Sequence, residues 1–110
     1  MDDDSLVTLF KALGNDNRLR IFQEIRDEGR STYEDDDDDG GCFLNGVIER
    51  LGIGAPTVSH HLKQLVNAGL VQTEKRGKYV YCRLDGETLE AVSTFFREAK
   101  RAVAEDETAE

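Results

Sequence analysis

Thr57, Ser59, His60, Lys63 and Gln64 crowd two hydroxyls, an imidazole, an ammonium and an amide into one short stretch. That chemistry suits a nucleic-acid duplex: hydroxyl, imidazole and amide groups meet base edges in the major groove, while a lysine meets phosphate. These groups act together only if one helix presents them. Val58, His61, Leu62 and Leu65 fall at helical spacing on one face, which puts Ser59, His60 and Lys63 opposite and Thr57 and Gln64 at the margins. The helix is bounded as well as phased. Gly52 stops the preceding segment, Gly54 is a candidate cap, and Pro56 fits the first helical turn, where its missing N–H costs nothing. Gly69 supplies a left-handed stop before an apolar strand start at Leu70 and Val71.

A second set of candidate contacts follows. Lys75, Arg76 and Lys78 surround Gly77, which is available for positive φ, in a hairpin pattern running from Gln72 to Leu84. Alternation places Val80, Cys82 and Leu84 on one strand face and Tyr79, Tyr81 and Arg83 on the other. Three cations at a hairpin tip suit phosphate or minor-groove contact. Helix and hairpin together read as a recognition helix followed by a β-wing.

The charge distribution supports that reading. The 110-residue chain has a net charge of −9. Residues 57–84 nevertheless hold 5 basic and 1 acidic side chains, whereas residues 1–40 hold 5 and 13 and residues 85–110 hold 3 and 8. The only positive block is the proposed reading head, an orienting electrostatic footprint on an acidic body. The 12 Asp and 11 Glu stand against only 5 Lys. Such aspartate-rich, lysine-poor surfaces resemble those of halophile proteins, a reading favoured over an acidic partner-binding tail.

The chain is long enough for a single domain, residues 1–110, with a modest core. No apolar run approaches a membrane span, and the acidic Met1–Asp4 start is unlike a basic secretory leader, so a cytoplasmic protein is expected. Asp4 or Ser5 is the expected cap of a first helix with Leu6, Leu9, Phe10 and Leu13 on one face, ended by Gly14. Asn15 or Asp16 caps a second, with Leu19, Phe22 and Ile25 inward and Arg18, Arg20 and Arg26 outward, ended by Gly29. Residues 30–41, with five consecutive aspartates, are expected to form a mobile acidic loop, read as a solvated spacer rather than a cation site. A third helix is expected from near Asn45 to Leu51. The last begins after Asp85 and ends near Val103, leaving an acidic tail at 104–110. Its stripe of Leu89, Val92, Phe96, Ala99 and Val103 is longer than a lone domain needs.

The chain resembles the ArsR family of winged-helix repressors. The resemblance spans roughly Leu6 to Phe96. It is carried by Leu9–Phe22, by Leu51-Gly-Ile-Gly-Ala-Pro-Thr-Val-Ser-His-His-Leu-Lys-Gln-Leu, by Ala68-Gly-Leu-Val and by Arg76-Gly-Lys-Tyr-Val-Tyr. It implies a mainly α (α+β) winged helix-turn-helix of about five helices with a two-stranded wing. It also implies a homodimer through the first and last helices, with Leu6, Phe10, Leu89, Val92, Phe96 and Ala99 at the interface. A two-fold dimer matches palindromic half-sites in a double-stranded DNA operator.

Relatives that sense thiophilic metals often carry Cys-x-Cys where this chain has Phe43-Leu44-Asn45, with Cys42 displaced just before it. Another family site uses Asp and His on the last helix, which here contains no histidine. Two thiols do not complete a tetrahedral set, so no metal and no cofactor is expected. Cys82 is expected inward as a small hydrophobe, and Cys42 is the more exposed candidate for redox chemistry. Three function classes follow: a DNA-binding repressor, a thiol-switched repressor using Cys42 or Cys82, and a winged-helix interaction module without DNA. An enzyme is disfavoured, because no nucleophile–base–acid set or phosphate loop is present. The sequence specifies neither inducer nor operator.

Overall fold

The computed structural model describes residues 1–33 and 40–108. Five helices, α1 (Asp3–Leu13), α2 (Asp16–Tyr33), α3 (Leu44–Leu51), α4 (Ala55–Asn67) and α5 (Gly86–Thr108), accompany three strands, β1 (Cys42–Phe43), β2 (Val71–Arg76) and β3 (Tyr79–Leu84). The sheet is antiparallel with order β1-β3-β2, so the expected two-stranded wing gains a short third strand. Among the described residues, no helix is long and apolar enough to cross a membrane.

The first helix starts earlier than its sequence suggests. Asp2, not Asp4 or Ser5, is the N-cap and accepts from the Ser5 N–H at 2.8 Å. Asp3 and Asp4 are thereby left in the first turn, where carboxylates favour the positive end of the helix dipole. Asn15 caps the second helix, its Oδ1 accepting from Arg18 N at 3.1 Å.

That helix does not stop at Gly29 but continues to Tyr33, which removes Arg30–Tyr33 from the expected loop; residues 34–39 lie outside the described residues. Its phase also differs. Ile21 and Ile25 are the fully buried positions, Phe22 is half-buried, and Leu19 is exposed. Positions 21 and 25, one turn apart, keep a straighter stripe than 19, 22 and 25. The core joins them to Leu9 and Ala12 of α1, Val47 of α3, Val58, Leu62 and Leu65 of α4, and Leu70, Val71 and Cys82 of the sheet region.

Cys42 was expected to be exposed but is buried, and it lies directly opposite Cys82 across the β1–β3 ladder. Tyr81, placed on the outer face by alternation, is also buried. Phe43 packs edge-on against it at 5.2 Å, its hydroxyl accepts from Gly41 N–H at 3.1 Å, and the Arg76 guanidinium lies 3.5 Å from its ring centroid. Both faces of β3 are therefore covered at this point. A Cβ on Gly41 would fall 2.3 Å from the Tyr81 ring and 2.7 Å from the Cys82 carbonyl oxygen. Gly41→Ala should accordingly lower stability by about 1–3 kcal/mol, the usual cost of forcing an extra methyl into a packed site. Urea unfolding at fixed pH measures it.

Candidate nucleic-acid interface

The fourth helix is built to present one face. Gly54 is its N-cap and Pro56 sits in its first turn. At its end Gly69, at φ 82°, lets its own N–H reach the Val66 carbonyl and Leu70 N–H reach that of Leu65, both at 3.0 Å. This paired arrangement satisfies the last carbonyls and turns the chain straight into β2. Val58, Leu62 and Leu65 are buried. Thr57, Ser59, His60, Lys63 and Gln64 are all exposed, as the helical phase predicts. None of these five side chains makes a hydrogen bond or ion pair among the described residues, so their donors and acceptors stay available.

His61 is half-buried, and its Nδ1 lies 3.4 Å from Nη1 of Arg18. The Arg18 side chain, expected to face outward, instead donates through Nε to the Ala12 carbonyl at 2.7 Å and through Nη2 to that of Lys11 at 3.4 Å. Burial and the neighbouring Arg18 and His60 hold the His61 imidazole below its ordinary pKa.

In the wing, strands pair through Arg76↔Tyr79, leaving Gly77-Lys78 as a two-residue turn with Gly77 at φ 65°. Lys75 and Lys78 are exposed, the latter 5.5 Å from the Tyr79 ring centroid. Arg76 is engaged differently from its two neighbours. Its Nε and Nη2 donate to Glu74 Oε1 at 2.9 and 2.7 Å while its plane covers Tyr81. A polar chain also stiffens the wing base: Arg83 Nε donates to Gln72 Oε1 at 3.1 Å, and Gln72 Nε2 donates to Asp85 at 2.8 Å. Sequence reasoning missed Arg18, Glu74, Gln72 and Asp85 as supports, since each contact depends on tertiary or cross-strand placement.

The expected dimer residues divide into two groups. Leu6 is buried and Leu89 and Val92 are half-buried within the chain. Phe10, Phe96 and Ala99 are exposed, and Phe10 forms an aromatic cluster with Phe95 at 6.0 Å and Phe96 at 5.8 Å. The first and last helices thus share an outward apolar surface. The fifth helix runs past Val103 to Thr108, so most of the expected tail from 104 is helical. Among the described residues, no group of three or more His, Cys, Asp or Glu could hold a metal ion.

A short donor-rich helix followed by a basic antiparallel hairpin defines a winged helix-turn-helix. Residues 13–74 match the model of a helix-turn-helix domain family. An uncharacterized HTH-type transcriptional regulator of Bacillus subtilis, YbzH, is 31% identical over 94 residues, covering 83% of this chain and 94% of the relative. A cadmium resistance regulatory protein CadC homolog of Staphylococcus aureus is 35% identical over 79 residues, 72% of this chain but only 56% of that protein. The homodimeric winged helix-turn-helix domain of Mb0332 from Mycobacterium bovis, described as a possible ArsR-family regulator, superposes with a TM-score of 0.64. It shares 22% identity, with 96% of this chain and 92% of that one covered. The chain belongs to the ArsR family of winged helix-turn-helix transcriptional regulators.

Proposed function

We propose that this protein is a homodimeric cytoplasmic repressor that reads a palindromic double-stranded DNA operator. The carrying observation is the two-sidedness of α4: Val58, Leu62 and Leu65 are buried, while five polar side chains away from them are exposed and make no hydrogen bond or ion pair among the described residues. Ser59 and His60 meet base edges, Thr57 and Gln64 flank them, and Lys63 neutralises phosphate. Lys75 and Lys78 add backbone contacts from the wing. Arg76, held by Glu74 and Tyr81, steadies that wing. The exposed aromatic surface on α1 and α5, and the homodimeric Mycobacterium bovis neighbour, support pairing of two copies.

A thiol-switched version of the repressor is less well supported. Cys82 is fully buried, and burial together with Cys42 pushes its thiol up to about 12. Reaction with oxidants runs through the thiolate, which is scarce at neutral pH under those conditions.

Selection from a randomised duplex library tests the proposal. The enriched site should be palindromic. The Ser59→Ala/His60→Ala pair should change the preferred bases. Lys63→Ala should weaken binding to every sequence alike, by about tenfold, and flatten the salt dependence. An unchanged preference in the double variant would remove α4 as the reading element.

A further inference from the structure

Beside the apolar packing of α4 on α1, one polar side chain from α2 ties the end of α1 to α4. Arg18 stands at the start of α2, but its guanidinium reaches back to two α1 carbonyls, at Ala12 and Lys11, and across to the ring of His61 on α4. An arginine can only donate, so the contacted Nδ1 must accept, which leaves the ring proton on Nε2 and the imidazole neutral. We infer that Arg18 is a positioning residue for DNA reading: it locks the His61 ring, and with it the seating of α4, against the carboxyl end of α1. The inference rests on α4 being the reading helix.

Two features support this role. The Arg18 contacts are on a half-buried residue whose own backbone N–H is held by Asn15, so the guanidinium is aimed from a fixed base. His61 lies between Leu62, which is buried, and His60, which is exposed; a shift of its ring displaces the adjoining polar face. The link also depends on proton occupancy. Imidazolium at His61 loses the acceptor and sets a second cation against the guanidinium. Burial disfavours that form, and among the described residues Arg18 from α2 and His60 on its own helix act on the ring in the same direction. The folded-state pKa is therefore depressed. The contact is complete above the ordinary imidazole range and is lost as pH falls through the lowered value.

The experiment has two arms. In the DNA-free protein, nitrogen-15 shifts of the His61 ring are followed through a pH titration in wild type and in Arg18→Ala. The neutral ring should carry its proton on Nε2 and titrate below an unhindered imidazole, and Arg18→Ala should move that titration upward. The second arm is operator affinity. His61→Gln, which keeps an acceptor but cannot titrate, should bind like wild type near neutrality. His61→Leu should lose about tenfold, as expected for one lost hydrogen bond to a charged donor. Acidification from about pH 7.5 to about pH 5.5 should weaken wild type more than His61→Gln. A ring proton on Nδ1, a titration unmoved by Arg18→Ala, or wild-type affinity in His61→Leu would overturn the inference. Because the first arm needs no DNA, its result separates this role from any failure of the protein to bind an operator.

Discussion

Phe96→Asp should dissociate the dimer into monomers at micromolar concentration and lower operator affinity by about a thousandfold or more. Phe96 is 54% exposed on the isolated chain and shares an apolar cluster with Phe10 and Phe95. A carboxylate there would have to be desolvated without a partner, at several kcal/mol per copy, and a two-fold interface carries the residue twice. The subunit itself should stay folded, because the side chain supports little of its own core. Light scattering at matched concentration measures the mass, and circular dichroism checks the fold. A wild-type protein that is already monomeric, or a variant that stays dimeric, would discard the interface on the first and last helices.

A comparably large effect on stability is expected at Tyr81. Its ring is enclosed by Phe43 and Arg76 and its hydroxyl accepts from the buried Gly41 N–H. Tyr81→Ala removes these interactions together and should cost about 3–5 kcal/mol, a large share of the ~5–15 kcal/mol that holds a domain of this size. Tyr81→Phe keeps the ring but removes the hydroxyl that accepts from the Gly41 N–H, and should cost about 1–3 kcal/mol. Denaturant midpoints for the two variants separate ring packing from the hydrogen bond. Equal losses in both would mean that the ring itself contributes little.

Helix α4 was the most legible part of the chain. Its apolar positions repeat at three and four residues, and Pro56 and Gly69 mark its ends, so phase and boundaries are written locally. The same local information misplaced parts of α2. Leu19 looks as apolar as Ile21, and only the positions of α1 and α4 decide which of the two is enclosed. Arg18 reads as a surface cation, yet carbonyls six and seven residues upstream draw it back over the end of α1. The strand errors share another cause. A two-residue strand has no period to detect, so β1 was invisible, and with it the cover over Cys42 and the outer face of Tyr81. Within the candidate interface, Lys63 and Arg76 are both exposed cations in sequence terms. The structure separates them through Glu74 and Tyr81, neighbours of Arg76 that a linear reading does not reveal.

Gly29, inside the second helix, lies so close to Gly40 that an added Cβ would fall 2.1 Å from the Gly40 carbonyl oxygen. The second helix therefore passes directly against the backbone that leads into β1, just ahead of the strand that joins the wing. Any residue larger than glycine at position 29 would wedge these two backbones apart, and the displacement would pass through β1 to its partner β3, the inner strand of the wing.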